Sequence, residues 1–401
     1  MMKNVYLISN VIDGGKTYLE YLLPALNALR KEHNCIVLQT NVVGISRQEA
    51  EHFLNYPVHE VELLFIAQLE SQVIISNDAI VGAFIDESNF SIFITHGNVG
   101  MPVKDRYYFA NLISYWDAIV SPSRSFSDLM NIGLQLYRYE RNALHIAPTN
   151  KTRRSDLRKT STISILPVKI PAAFSSPPEL RPTAEEYIFG LLPTQLGICT
   201  GGTTLYEKMS EVINTVKSQV PHAKFILRPY MTDFDHPDVK TICEQLCKYP
   251  WITVDNTKES SKDFYWRCDT IITDASSGGV SFMLNTCRLP IYYVPEVNED
   301  NQIVKVWLER MGDFLPIARN SDELKDLVLG FKSLTREQSY SIYKNFYESE
   351  YSGNFHPDEV FQDLVQKKHE SDYCYSSIDS LGEITARGIN NPGEPRSYHG
   401  F

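Results

Sequence analysis

The chain lacks several features that would classify it at once. It has no apolar run near the roughly 20 residues that a membrane-spanning helix needs. Its first residues turn polar too soon for a signal peptide and predict a first strand instead. It also has no excess of positive charge, because 38 Lys and Arg face 49 Asp and Glu, for a formal net charge of −11. General nucleic-acid binding is therefore not expected, since that binding depends on neutralising phosphates.

A cysteine framework is missing as well. The seven cysteines are odd in number and scattered, and none forms a Cys-x-x-Cys pair. Cys243 and Cys247 share a helical face, but no neighbouring His or Cys pair completes a zinc site. We therefore expect buried free thiols in a reducing cytoplasm. We expect no metal and no other cofactor, because no carboxylate cluster suits a cation.

What the chain does have is length and a regular alternation of patterns. Its 401 residues are enough for two domains with full cores. Short β-rich runs alternate with amphipathic runs, which is typical of parallel sheets with crossover helices. We predict an α/β fold of GT-B type, with two doubly wound Rossmann-like domains facing a cleft, C-terminal helices and a flexible tail. The predicted parts are an acceptor-side domain 1–175, a nucleotide-donor domain 183–335, helices 336–368 and the tail 369–401, with a Pro- and Ser-rich linker at 171–182.

The alternation also predicts individual elements. In open α/β sheets ligands bind beyond the carboxyl ends of the strands, so functional residues are expected in the loops that follow them. The predicted strands are 5–9, 35–40, 73–76, 91–95, 118–121, 143–147, 187–192, 224–227, 252–254, 270–273 and 291–294. The predicted helices are 18–30, 205–218, 239–248, 262–267, 280–284, 321–330, 336–349 and 357–367.

The loop 273–279 is the most informative of these. A β-rich run enters it and a helix-like run leaves it, so it opens a helix whose N–H groups are unpaired and whose dipole is positive. Such a terminus binds anions, phosphate above all. The alternative is an ordinary N-cap, because Asp and Ser are common capping residues. The candidate residues are Thr273, Asp274, Ser276, Ser277, Gly278 and Gly279.

A second candidate is His96, which follows a strand and precedes Gly97. A neutral imidazole takes a proton from an attacking hydroxyl near neutral pH, and the glycine permits close approach. The alternative is a structural histidine at a strand end.

Two further loops fall on the donor side. Thr194 precedes a Thr- and Gly-rich stretch at 200–204, which is a candidate phosphate loop or only a flexible connection. Arg228 ends a strand, where its guanidinium is suited to a diphosphate; the alternative is a surface ion pair. Tyr230 and His236 lie just beyond it.

The first strand leads into a glycine loop with Gly14, Gly15 and Lys16. Its end resembles a Walker A loop, but Asn10 stands where that motif begins with glycine, and no Walker B partner is evident. We therefore favour a glycine loop that lines the acceptor side over the phosphate-binding loop of a P-loop nucleoside triphosphatase. The dense basic run 151–159 is a candidate contact with anionic lipid or polymer, the alternative being a solvated loop.

Taken in order, these segments resemble the CDP-glycerol glycerophosphotransferase family, whose enzymes prime and polymerise teichoic acids. The resemblance spans roughly residues 90–368, with two departures. Tyr230 replaces the family's donor-contacting histidine, with His236 a candidate to replace it in space, and Ala275 replaces the family's tyrosine. The matching motifs are Thr95-His96-Gly97, Lys104 with Ser121-Pro122-Ser123, Leu192-Pro193-Thr194, Thr273-Asp274-Ala275-Ser276-Ser277, Arg288-Leu289-Pro290-Ile291 and Tyr351-Ser-Gly-Asn-Phe.

The resemblance implies a cytoplasmic cell-envelope transferase, in contact with the inner face of the membrane through a lipid-linked or glycan acceptor. His96 would deprotonate the acceptor hydroxyl, which attacks the phosphorus of CDP-glycerol, and CMP would leave against Arg228 and the 276–279 helix terminus. Asp274 joins His96 as a catalytic candidate, and Gly14, Gly15, Lys16, Gly97 and Lys104 line the acceptor side.

Two alternatives stay open. The first is a glycosyltransferase that uses a nucleotide sugar, such as CMP-Kdo or a UDP-sugar, in capsule or lipopolysaccharide synthesis. The second is a non-catalytic protein that binds nucleotides or glycans. In each case the expected partner is a nucleotide-linked molecule, with CDP or CMP favoured for the donor.

Overall fold

The structure is a computed structural model, and its described residues form two compact units. The first unit takes the described residues up to 169 together with those from 356 onward, and the second takes 170–353. No helix among the described residues is long and apolar enough to cross a bilayer. The described residues are 4–11, 15–86, 88–95, 113, 115–143, 162–179, 187–196, 205–230, 233–257, 261–274, 276–295, 302–353, 356–366 and 374–376.

The first unit is built on an eight-stranded sheet in the order β14-β7-β6-β5-β4-β1-β2-β3. All neighbouring strands are parallel except β14, which runs antiparallel to β7. The strands are β1 (Asn4–Ser9), β2 (Asn34–Thr40), β3 (Val58–Val61), β4 (Val73–Ser76), β5 (Phe90–Ile94), β6 (Ala118–Ser121), β7 (Thr162–Ile165) and β14 (Cys374–Ser376).

The second unit has a six-stranded sheet in the order β10-β9-β8-β11-β12-β13, in which all neighbours are parallel. The strand order reverses direction beside β8, as in other doubly wound sheets. The strands are β8 (Ile188–Leu192), β9 (Lys224–Leu227), β10 (Ile252–Val254), β11 (Thr270–Thr273), β12 (Ile291–Tyr293) and β13 (Ile317–Ala318).

Helices cover these sheets and connect most of the strands. Two short 3-10 helices, Leu63–Gln68 and Ala79–Phe84, lie in the first unit. The α-helices are α1 (Gly15–Leu19), α2 (Leu23–Leu29), α3 (Arg47–Leu54), α4 (Arg124–Ala143), α5 (Leu205–Gln219), α6 (Pro237–Leu246), α7 (Ser261–Arg267), α8 (Gly278–Thr286), α9 (Gln302–Met311), α10 (Ser321–Ser333), α11 (Arg336–Tyr351) and α12 (Pro357–Gln366).

The strands are apolar on both faces, because helices cover both sides of a parallel sheet. In the first unit, Leu7 belongs to a core that includes α2 and α12, and Ile8 belongs to an opposite core around Trp116. The last helix therefore returns to the first unit, where Phe361 and Leu364 are buried beside α2. In the second unit, the buried face of α5 packs on β8 and β9.

Most predicted elements are confirmed, including the strands 73–76, 118–121, 224–227, 252–254 and 270–273 in full. Three of the predicted segments differ from the structure. The helix predicted over 18–30 is divided into α1 and α2, because Pro24 favours a helix start. Ala143 ends helix α4 instead of starting a strand, and β7 takes the place beside β6. Cys374–Ser376, inside the segment predicted as a tail, extends the sheet as β14.

Candidate functional site

The carboxyl ends of the second unit's strands form a single edge of the sheet. The register places Leu192 opposite Thr273, and Leu227 opposite both Leu191 and Val254. Because the strands are parallel, the residues that follow β8, β9, β10 and β11 lie side by side. This is the edge at which doubly wound sheets bind ligands. We refer to it as the carboxyl edge.

Asp274, the first residue after β11, holds the centre of this edge together. It is 3% exposed, and its two carboxylate oxygens accept hydrogen bonds from the Thr194 N–H at 2.9 Å and the Leu205 N–H at 3.0 Å. Burial raises the pKa of Asp274 to about 6, although these bonds and those from its own N–H and the Ser276 N–H lower it. One carboxylate thus fixes the loop after β8, the start of α5 and the entry to α8. Its predicted catalytic role stays a prediction.

The loop between β11 and α8 is capped from within. The Ser276 Oγ accepts a hydrogen bond from the Gly278 N–H at 3.0 Å, which satisfies one of the helix's free donors. Ser277 makes no capping bond with its side chain. Thr273 is fully buried and its hydroxyl donates to the Leu192 carbonyl at 2.6 Å, so that side chain serves the sheet edge. The N-cap residue is Ser277, so the Ser276 hydroxyl that accepts this bond belongs to the residue before the cap. Phosphate binding at this terminus stays a prediction.

The two glycines at the start of α8 are required by packing. A Cβ on Gly279 would lie 2.4 Å from the Tyr292 hydroxyl, and one on Gly278 would lie 2.4 Å from the Leu192 Cδ2. Tyr292 is fully buried, and its hydroxyl donates to the Ser276 carbonyl at 3.0 Å. The start of α8 is consequently pressed against the ends of β8 and β12.

Arg228 is part of a buried charge cluster and not of a surface ion pair. The Asp255 carboxylate, with its side chain 1% exposed, lies 3.2 Å from Arg228 Nη1 and also contacts the Arg267 guanidinium. Burial raises the pKa of Asp255, but the hydrogen bonds from Thr257 and the two arginine charges bring it below its ordinary value. The carboxylate is thus ionised. Two guanidinium groups converge on it at the carboxyl edge.

A third buried carboxylate, Asp233, ties the loop after β9 to the loop after β8. It accepts a hydrogen bond from the Leu196 N–H at 2.7 Å and lies 3.4 Å from the Tyr206 hydroxyl. The same hydroxyl accepts from the Tyr230 N–H at 3.0 Å. Tyr230 itself is 38% exposed. These contacts fix the backbone at Tyr230 while they leave much of its side chain open to solvent.

His236 serves as the N-cap of α6. Its Nδ1 accepts a hydrogen bond from the Asp238 N–H at 3.3 Å, and its side chain is exposed. A place of His236 in the donor site, as a substitute for the family's histidine, stays a prediction.

The predicted acceptor-side residues are only partly described. The Gly15 N–H donates to the Val43 carbonyl at 2.9 Å, and Lys16 is exposed in α1. Asn10 is buried and links two strands, accepting from the Thr40 hydroxyl at 2.7 Å and donating to Asp78 at 2.8 Å. Several residues discussed in the sequence analysis lie outside the described part of the chain. They are His96, Gly97, Gly14, Lys104, Ala275 and residues in the segments 151–159 and 197–204.

Sequence reasoning missed Asp233, Asp255, Tyr206 and Arg267. The sequence does carry one signal for Asp255, which directly follows a predicted strand as Arg228 and Asp274 do. Nothing in the sequence separates Asp233 from the neighbouring acidic residues of its loop. Among the described residues, no group of three or more His, Cys, Asp or Glu side chains is arranged to hold a metal ion.

Comparison with known proteins finds likeness in structure alone. No protein-family model matches the chain, and no curated protein matches it in sequence. The structure of Anabaena HepE, in complex with UDP and glucose, has a TM-score of 0.55 at 12% identity, covering 92% of this chain and 100% of that one. The E. coli trehalose-6-phosphate structure bound with UDP-2-fluoro glucose has a TM-score of 0.54 at 10% identity and covers 90% and 99%. The Staphylococcus aureus MnaA–UDP structure has a TM-score of 0.52 at 10% identity and covers 91% and 96%.

At these identities the likeness is one of fold. The chain has the GT-B architecture of two doubly wound α/β units, and the predicted fold class is confirmed.

Proposed function

We propose that this chain is a transferase that moves a group from a nucleotide-activated donor to an acceptor hydroxyl in cell-envelope polymer synthesis. The observation that carries the proposal is the convergence of the Arg228 and Arg267 guanidinium groups on Asp255 at the carboxyl edge. The chain as a whole has a net charge of −11, so this pair of arginines is a local feature. Arginine side chains at the ligand-binding edge of a doubly wound sheet suit the phosphates of a nucleotide.

The donor that we propose first is CDP-glycerol, on the strength of the ordered motifs. Thr95 lies just after β5, and its N–H donates to the Val120 carbonyl of β6. His96 directly follows Thr95. In the proposed reaction His96 takes the proton of the acceptor hydroxyl. The hydroxyl oxygen attacks the glycerol-bearing phosphorus. The bond from that phosphorus to the CMP oxygen breaks, and CMP leaves with the electron pair. Arg228 and Arg267 stabilise the departing negative charge.

The second candidate donor is a nucleotide sugar. All three of the structures compared above hold UDP or a UDP-sugar analogue, which is the observation in its favour. The base and the phosphate site would then serve an attack on an anomeric carbon. A third candidate, a non-catalytic nucleotide-binding or glycan-binding protein, needs the same carboxyl edge but no base.

One assay separates these candidates. Purified protein is offered CDP-glycerol, CMP-Kdo and UDP-sugars with a lipid-linked or synthetic hydroxyl acceptor, and the released nucleotide is identified. We expect CMP release from CDP-glycerol that depends on the acceptor. His96→Ala should lower this turnover by about 100-fold or more, the usual contribution of a general base. His222→Ala, at an exposed histidine in the turn before β9, is the matched control.

The outcomes are distinct. Turnover of a sugar nucleotide with none of CDP-glycerol would replace the first donor by the second. Unchanged turnover in His96→Ala would remove the proposed base. Nucleotide binding without turnover of any donor would support the non-catalytic candidate and overturn the transferase.

A further inference from the structure

Tyr230 is an exposed aromatic residue whose backbone is held on both sides. It stands two residues after Arg228 at the carboxyl edge, and 38% of its surface is accessible. Its N–H donates to the Tyr206 hydroxyl at 3.0 Å, and its carbonyl accepts from the Asp233 N–H at 2.9 Å. A large apolar ring that faces solvent from a fixed backbone offers a flat surface for a ligand.

The neighbouring loop is fixed to the same framework. Asp233 accepts from the Leu196 N–H at 2.7 Å, and Asp274 accepts from the Thr194 N–H at 2.9 Å. Hydrogen bonds thus hold the backbone on both sides of Gln195. The side chains of Thr194 and Gln195 are half-buried, and neither makes a hydrogen bond to any other described residue.

The two loops carry three uncharged side chains, Tyr230, Thr194 and Gln195, at the same edge as the arginine cluster. Partial burial, and then the charge of Asp233, raise the pKa of the Tyr230 phenol, so the ring is uncharged at neutral pH. Thr194 and Gln195 add a hydroxyl and an amide, which both donate and accept hydrogen bonds. An aromatic face with neutral hydrogen-bonding groups at its side matches a planar heterocyclic base, and the positive charge of Arg228 and Arg267 matches phosphate.

We propose that Tyr230 stacks on the base of the nucleotide donor and that the Gln195 amide bonds the edge of that base. The inference rests on the proposed function, which supplies the nucleotide. It assigns the uncharged side chains of Tyr230 and Gln195 to the base and leaves the arginine cluster to the phosphates. Stacking alone tolerates any base, so the amide contact is the specificity-determining element of the pair.

The test is nucleotide affinity measured by titration calorimetry on the full chain, with CDP, UDP and ribose 5-phosphate as probes. Tyr230→Ala should weaken CDP and UDP by about ten-fold, within the range for loss of a base-stacking ring. Tyr230→Phe should bind as wild type does, and Gln195→Ala should change the ratio of CDP to UDP affinity. Tyr249→Ala removes another exposed tyrosine, ahead of β10 at the opposite end of that strand, and should change nothing.

The failures can be told apart. If wild type binds CDP or UDP and Tyr230→Ala binds them equally well, the base site is wrong and the proposed function stands. If Tyr230→Ala weakens ribose 5-phosphate as much as CDP, the ring contacts sugar or phosphate and the assignment to the base is overturned. If wild type binds neither nucleotide, the proposed function fails and the base site fails with it. Melting temperatures equal to that of wild type show that each variant is folded.

Discussion

Replacement of Asp274 by asparagine tests whether a buried carboxylate organises the carboxyl edge. The side chain is 3% exposed and accepts hydrogen bonds from the N–H groups of Thr194 and Leu205. Asparagine keeps one acceptor oxygen, and its amide nitrogen faces the other N–H. The cost of that lost bond does not change with pH, because the amide does not titrate. The pH dependence of the difference between wild type and variant therefore isolates the ionisation of Asp274.

The sign and size follow from the pKa. Burial raises the pKa of Asp274 from the ordinary 3.8 to about 6, so the folded state binds the proton more tightly than the unfolded chain. The resulting stabilisation is complete below pH 3.8 and is lost as the pH rises through about 6. Between about pH 7.5 and pH 5.0, the wild-type free energy of unfolding should rise by about 1.4 kcal/mol relative to Asp274→Asn.

The assay is urea unfolding at both pH values, followed by tryptophan fluorescence, because three of the four tryptophans lie in the second unit. Asp322→Asn is the control. Its carboxylate is exposed, and its pKa is lowered by the hydrogen bond and charge of Lys325, so wild type should not gain on this variant as the pH falls. A difference between wild type and Asp274→Asn that is flat, or that shrinks at low pH, would refute the raised pKa and the buried ionised carboxylate.

Two further substitutions probe the same edge. Gly279→Ala should destabilise the second unit by about 1–3 kcal/mol in urea unfolding, because its Cβ would lie 2.4 Å from the Tyr292 hydroxyl. Gly330→Ala is the control, because a Cβ there meets nothing within 4 Å. Equal stability of the two variants would contradict the packing argument. Asp255→Ala should cost about 3–5 kcal/mol, because it removes the ion-pair partner of the buried Arg228. Joint replacement of Asp255 by leucine and Arg228 by methionine should restore part of that loss, and a double variant no more stable than Asp255→Ala would contradict the charge argument.

Two of the strands that sequence reasoning found, Val73–Ser76 and Thr270–Thr273, are buried at every position. The edge strand Ile252–Val254 was found as well, from its β-branched residues. The strand Val58–Val61 was missed, because its two central residues, His59 and Glu60, are polar and exposed. A strand with a polar centre does not stand out from the loops around it.

The candidate site divides in the same way. Strand-end residues such as Arg228 and Asp274 could be selected because position after a strand is visible in sequence. Their partners could not, since the contact of Arg228 with Asp255 and the contact of Asp274 with Leu205 join residues 27 and 69 positions apart. The identity of the bound group depends on such pairings, which only the folded chain reveals.

Three buried acidic residues at the carboxyl edge serve the fold, and this bears on how the loss of activity in their variants is interpreted. Asp233 and Asp274 accept backbone N–H groups, and Asp255 neutralises one of two guanidinium groups. A carboxylate left open to a ligand would repel the phosphates of a nucleotide, whereas these three direct their charge into the protein. Loss of turnover on replacing one of these acids would therefore not by itself identify a catalytic acid or base; only a loss that exceeds the measured loss of stability and nucleotide affinity would do so.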